Sequence, residues 1–147
     1  MTTVELREIT ADTLRPILKM NVHKEQDNFV APNSVSIAQA YFNKHAWFRG
    51  IYAGDEAVGF VQMEIIPDEG VYYVWRYMIA AEHQRKGYGK AAMELVTQYI
   101  RCNHSDAKKI TLSHVEGNDE AGALYKSCGF DYTGEIEDGE VVMELPL

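Results

Sequence analysis

Residues 46–80 constrain the fold more than any other part of this chain. Three stretches in a row, "WFRGIYA", "EAVGFVQMEII" and "GVYYVWRYMIA", carry the two-residue period of strands. Only Gly54–Asp55 and the turn "PDEG" at Pro67–Gly70 separate them. A parallel neighbour needs a crossover of a dozen or more residues, so these strands must be consecutive antiparallel neighbours. Everything else in the chain is added to that antiparallel block.

The flanks alternate in type. "VELREI" reads as a half-buried strand. "TADTLRPILKM" reads as a helix with Thr10 as its N-cap and Leu14, Ile17 and Leu18 on one face. "VHKEQDNFVAPN" has little period and reads as a loop or broken helix, and "SVSIAQAYFN" reads as a helix opened by Asn33 or Ser34. Past the block, "YGKAAMELVTQYIRC" is amphipathic, "KKITLSHV" is a strand, and "NDEAGALYKSCG" is a helix opened by Asn118 and closed by Gly129. "FDYTGEIE" and "EVVMELPL" form a hairpin whose Asp138–Gly139 step asks for a type I′ turn. The order is β-α-α-β-β-β-α-β-α-β-β. With 147 residues, no repeats and no linker, it reads as one α+β domain.

Composition excludes some functions. There are 14 Lys and Arg against 22 Asp and Glu, a net charge of −8, which disfavours nucleic acid as a partner and suits a cationic substrate. No signal peptide or membrane-length apolar run is visible, so a cytoplasmic protein is expected. Cys102 and Cys128 are expected to be buried free thiols. The five histidines show no metal-ligand spacing.

The stretch "HQRKGYGKAAM" (residues 83–93) joins the antiparallel block to the long helix. Gly87 to Ala92 fit the dinucleotide fingerprint GxGxx(G/A), but that motif follows the first strand of a parallel unit, and here three antiparallel strands come first. What remains is a loop of backbone N–H groups at a helix N-terminus, which suits an anion. Gly87 and Gly89 let it come close, and Arg85, Lys86 and Lys90 add positive charge.

Gln84-Arg85-Lys86-Gly87-Tyr88-Gly89 resembles the Q/R-x-x-G-x-G/A signature of the GCN5-related N-acetyltransferases. Asn118 to Phe130 resembles their N-x-x-A-x-x-L-Y-x-x-x-G-F segment, in the matching place. The likeness covers the last two thirds of the chain. It implies a mixed, mostly antiparallel, splayed sheet of seven strands with four helices. It also implies acetyl-CoA as cosubstrate, its pyrophosphate on Gln84, Arg85, Lys86, Gly87, Tyr88, Gly89 and Lys90. Its pantetheine arm would lie along the strand end at Met78 and Ile79 and beside Asn118.

Acetyl transfer from a thioester to an amine needs an oxyanion donor, an acid for the leaving thiolate and an acceptor for the amine proton. A backbone N–H near Met78 to Ile79 suits the first need. Tyr125, at the family's tyrosine position, suits the second. The base is left unassigned: spacing leads to Trp75 and Ser113, which cannot serve, and Glu25, Glu64, His114 and Glu116 remain as candidates. Val22 to Ala40 resembles the substrate wall of bacterial spermine/spermidine acetyltransferases. That likeness lies in Glu25-Gln26, Phe29-Val30-Ala31, Asn33 and Ser36-Ile37-Ala38. It implies a small-molecule amine, most simply a polyamine, at Glu25, Asp27 and Asn33. A polycation also wants charge, which Glu25 and Asp27 offer, and aromatic faces, which half of Tyr72, Tyr73, Trp75 and Tyr77 can offer on one side. Other amines, or a non-catalytic acetyl-CoA-binding role, are the alternatives. Members of the family often dimerise, so a homodimer is a further expectation.

Overall fold

The computed structural model describes residues 3–26 and 31–147. The element order is the expected one: β1 (Val4–Arg7), α1 (Leu14–Leu18), α2 (Asn33–Tyr41), β2 (Ala46–Ala53), β3 (Glu56–Ile66), β4 (Val71–Ile79), α3 (Tyr88–Asn103), β5 (Lys109–Val115), α4 (Asp119–Ser127), β6 (Asp131–Glu137) and β7 (Glu140–Pro146). The seven strands form one sheet in the order β1-β2-β3-β4-β5-β7-β6. Only the β4–β5 pair is parallel. The hairpin turn is of the type its sequence asks for, since Asp138 (φ 50°) and Gly139 (φ 80°) are both left-handed.

Each face of the sheet has its own core. Ala92, Met93, Val96 and Ile100 on α3 pack with Ile51, Val61, Met63, Ile110, Leu112 and Met143. They fall on one face because they recur at helical spacing while the strands alternate. On the opposite face Ile17 of α1 packs with Phe60 and Met78, bordered by Ile37 of α2.

Two expectations about local structure are corrected. Thr10 does not cap α1. The helix begins at Leu14, and the Thr10 N–H donates to the Thr13 Oγ1 at 2.8 Å. The cysteines are not both buried: Cys102 is exposed and Cys128 is half-buried.

The features that make a site lie in β4. Gln62 of β3 pairs with Arg76, but Met63 pairs with Val74, so Trp75 is an extra residue bulged out of the ladder. The bulge resets the alternation. Tyr72, Val74, Tyr77 and Ile79 all reach the α3 core, although Val74 and Tyr77 are an odd number of residues apart. The second feature is a split. β4 pairs with β5 only at Tyr73↔Thr111 and Val74↔Leu112. β3–β4 pairing nevertheless continues to Ile79, and β5–β7 pairing continues to Val115. Both ladders run on while the bond between them stops, so the sheet opens in a V.

Candidate active site

The V is a groove of about 950 Å³. One wall is Val74–Ile79 of β4, the other Ser113–Val115 of β5, and Leu124 and Tyr125 of α4 also line it. Val22, Gln26, Ala31 and Pro32 line it from the segment before α2, where the sequence places the acceptor wall. Antiparallel pairing to β3 uses alternate residues of β4, so the remaining N–H and C=O groups of the strand end face the opening.

At the wide end stands the loop before α3. Arg85 (φ 64°) and Gly87 (φ 84°) are both left-handed, and the loop leads directly into the first turn of a 16-residue helix. Turned-out N–H groups of this kind make an anion site. Gln84 fastens the loop: its amide nitrogen donates to the Ile79 carbonyl and to the Gln26 Oε1, both at 2.9 Å. Tyr77 donates its hydroxyl to the Gly89 carbonyl, tying β4 to the start of α3.

The two glycines are needed for different reasons. A Cβ at Gly87 would meet nothing within 4 Å, so the left-handed backbone is what requires glycine there. A Cβ at Gly89 would come within 3.2 Å of Leu124 Cδ2, so Gly89 lets α3 and α4 pack.

Arg85, Tyr88 and Lys90 line the groove with the glycines, whereas Lys86 is exposed and does not. Arg85 is held at 2.9 Å by Glu120, which also accepts from Gln26 at 2.6 Å. Met78 turns its side chain into the core with Ile17 and Phe60, which leaves its backbone to the groove. Asn118 caps α4 by accepting from the Ala121 N–H at 3.4 Å, and it also lines the groove.

Tyr125 sits where the walls converge. Its ring lies 6.1–6.4 Å from those of Tyr77, His114 and Phe130. Burial, reinforced by Cys128, Tyr73 and Glu140, holds its hydroxyl proton well above the ordinary phenol range. Tyr125 is therefore a neutral donor at any physiological pH.

The acceptor end differs most from the sequence expectations. Asn33 points inward: it is 3% exposed, and its amide donates to the Ile17 carbonyl at 2.8 Å and contacts the Met78 sulfur at 3.7 Å. It joins α2 to α1 and is not part of the groove lining. Asp27 and the side chain of Glu25 lie outside the described residues. Of the four aromatics, Trp75 and Tyr77 line the groove, Tyr72 is in the core, and Tyr73 bonds Ser113. Among the candidate bases, Glu64 binds Asn43 and Glu116 is exposed. His114 has both ring nitrogens engaged, by the Val115 carbonyl and the Tyr132 hydroxyl. Two carboxylates that line the groove were not foreseen, Glu120 beside Arg85 and Glu140 beside Ser113. Glu140, the first residue of β7, accepts from the Ser113 Oγ at 3.0 Å. Ser113 is the position that spacing reached and set aside, and its partner comes from a strand that no motif covers.

The sheet split beside its parallel pair, the loop with left-handed Arg85 and Gly87 at its wide end and the buried Tyr125 together form one groove, as in an acyl-transferring enzyme of the family that this chain matches. The model of the acetyltransferase (GNAT) family matches residues 6–130, and the chain belongs to that family. It is an acetyl-CoA-dependent N-acetyltransferase. It is 27% identical to the spermine/spermidine N(1)-acetyltransferase of Bacillus subtilis, over 98% of this chain and 99% of that protein. Among solved structures it resembles a domain from Methanocaldococcus jannaschii (TM-score 0.82, 16% identity, all of both chains). It also resembles the spermidine N-acetyltransferase of Vibrio cholerae in complex with CoA and spermine (TM-score 0.77, 20% identity, 97% of this chain and 95% of that one).

Proposed function

We propose that the protein moves the acetyl group of acetyl-CoA to a primary amine of a polyamine. The amine attacks directly, through a tetrahedral intermediate, with Tyr125 as the acid. The observation that carries the mechanism is Tyr125 itself, a buried, protonated phenol lining the groove near the parting of β4 and β5. The substrate class is supported by the near full-length likeness to the Bacillus subtilis enzyme and by the net charge of −8.

Acetyl-CoA fits the groove from the wide end. The Gln84–Lys90 loop and the α3 N-terminus hold its pyrophosphate, and the free backbone edge of β4 holds the arm. In this reading the thioester lies beside Tyr125, which lines the same groove. A backbone N–H of Met78 or Ile79 stabilises the oxyanion. Tyr125 hydrogen-bonds the sulfur as its charge grows and passes it a proton. Because that hydroxyl is a weak acid, it gives up its proton only as it regains one from the nitrogen of the intermediate.

One observation favours a second reading, an acceptor that carries a carboxylate, such as a peptide or amino acid. Arg76 lines the groove, and its guanidinium meets only neutral acceptors among the described residues, the Trp75 carbonyl at 3.0 Å and the Gln39 Oε1 at 3.4 Å. The two readings separate in one assay. CoA release is measured with acetyl-CoA and spermidine, spermine, a diamine, a short peptide and an aminoglycoside. Turnover concentrated on the polyamines is the expected result. Turnover confined to the peptide would move the acceptor assignment to Arg76.

A further inference from the structure

We propose that Glu140 is the carboxylate that docks the acceptor ammonium at the narrow end of the groove and takes its proton. This rests on the amine-acetyltransferase reading above and holds for any alkylamine acceptor.

The position comes from strand register. Glu140 follows the Asp138–Gly139 turn and pairs with Val115, the last residue of β5, so its side chain lies on the same sheet face as Ser113. There Tyr73, Ser113 and Glu140 form a chain, one residue from each of β4, β5 and β7. The Ser113 hydroxyl donates to Glu140 Oε1 at 3.0 Å, so the Tyr73 hydroxyl, 3.0 Å away, donates to Ser113. One carboxylate oxygen is thereby fixed and the other is left for a ligand. No ion pair among the described residues involves Glu140.

Glu137 of β6 pairs directly with Glu140 across the hairpin. Like charges in that position repel, and an arriving cation relieves the repulsion. The other titratable groups around Glu140 are Tyr73 on β4 and Tyr125 on α4, with Arg76 of β4 lining the same groove. Tyr125 belongs to the core on the α3 and α4 face, whereas Ser113 and Glu140 are on the other. The split is what lets both act on one groove. The phenol serves the leaving sulfur and the carboxylate serves the entering nitrogen.

The steps balance. An alkylammonium is neutral to only about one part in a thousand near neutral pH. Its N–H proton passes to the free oxygen of Glu140. The freed lone pair forms the N–C bond while the carbonyl π pair moves to oxygen. Collapse of that oxyanion breaks the C–S bond, and the pair leaves on sulfur. Sulfur takes the Tyr125 proton, and Tyr125 regains one from the nitrogen, which is now an amide. The proton on Glu140 leaves to solvent through the open groove.

The test is Glu140→Gln, which keeps the acceptor oxygen facing Ser113 and removes the charge. Steady-state kinetics are run across pH with the best alkylamine of the wild-type enzyme and with an alkoxyamine, which is neutral near pH 7. For the alkylamine, kcat/KM near neutral pH is expected to fall about 100-fold or more and to recover as pH rises toward the amine's own pKa of about 10.4, where the free amine no longer needs a proton acceptor. For the alkoxyamine the loss should stay under about tenfold, and acetyl-CoA affinity should not change. If Glu140→Gln loses acetyl-CoA binding, Glu140→Asp decides: it should keep the wild-type shape of the pH profile at reduced kcat. An alkylamine rate within about threefold of wild type at neutral pH overturns the proposal even if polyamines are the substrates. A wild-type preference for peptide amines overturns the polyamine reading and leaves the Glu140 result readable on those amines. Inertness toward every alkylamine overturns both.

Discussion

In the proposed mechanism Tyr125 stays protonated until sulfur needs a proton, and burial raises the pKa of its hydroxyl. The ring is 7% exposed and packs against Tyr77, His114 and Phe130, so Tyr125→Phe keeps the packing and removes only the hydroxyl. The expected result is a fall in kcat of about 100-fold, with the acetyl-CoA dissociation constant within about twofold of wild type. CoA-release kinetics beside calorimetry read the two separately, and equal losses in both would return Tyr125 to a packing role. The loop glycines separate in the same way. Gly87→Ala places a methyl group in open space but forces a left-handed backbone on alanine, at about 1–2 kcal/mol. The loop should then relax, and acetyl-CoA should bind at least about tenfold more weakly while the fold persists. Gly89→Ala presses on Leu124 instead, so its first effect should be a lower melting temperature.

At the scale of elements, the sequence was most legible where connections were short. Two- and four-residue turns forced β2, β3 and β4 into antiparallel order, and Asp138–Gly139 announced its own turn type. The bulge at Trp75 was not legible, because "VYYVWRYMI" is apolar or aromatic at nearly every position and its alternation shows no change of phase. The faces of Tyr72 and Tyr77 were therefore open. Asn33 gave no sign that it would turn inward, since a short polar residue at a helix start reads the same whether it bonds its own helix or another. Glu140 was missed because motif spacing searches along β4 and β5, while hairpin register brings this carboxylate in from β7. Tertiary bonds also link the elements that close the groove mouth. Glu120 at the start of α4 holds Arg85 and the Gln26 amide. That places an anion beside the loop proposed to hold the pyrophosphate and engages that loop's arginine. Glu120→Gln should tighten acetyl-CoA binding by about two- to fivefold, more at low ionic strength, as suits an exposed ion pair. Calorimetry at two salt concentrations measures it, and weaker binding would show that Glu120 holds Arg85 in the productive place.

At the scale of the whole molecule, the groove and the core share the same tyrosines, which ties the proposed catalysis and alkaline stability to one cluster. Tyr77 and Tyr125 lie 6.3 Å apart, and burial raises both hydroxyls above the phenol range. In the unfolded chain each ionises near pH 10 or so, with a reference pKa of about 10. Above that pH the unfolded state holds fewer protons than the native state, so stability falls as pH rises. Below it these groups add no pH dependence. The slope is up to about 1.4 kcal/mol per pH unit for each tyrosine, or about 2.8 for the pair. Urea unfolding at a series of alkaline pH values should show this decline beginning near pH 10, with tyrosinate absorbance rising in step with unfolding. Tyr125→Phe should remove about half of the slope. If instead the tyrosinate signal appears while the protein is still folded and stability stays flat, both hydroxyls are reached by water. A phenol that ionises at about pH 10 still carries its proton at neutral pH, so that outcome would remove burial as the source of alkaline sensitivity and leave the acid role of Tyr125 to the kinetics of Tyr125→Phe.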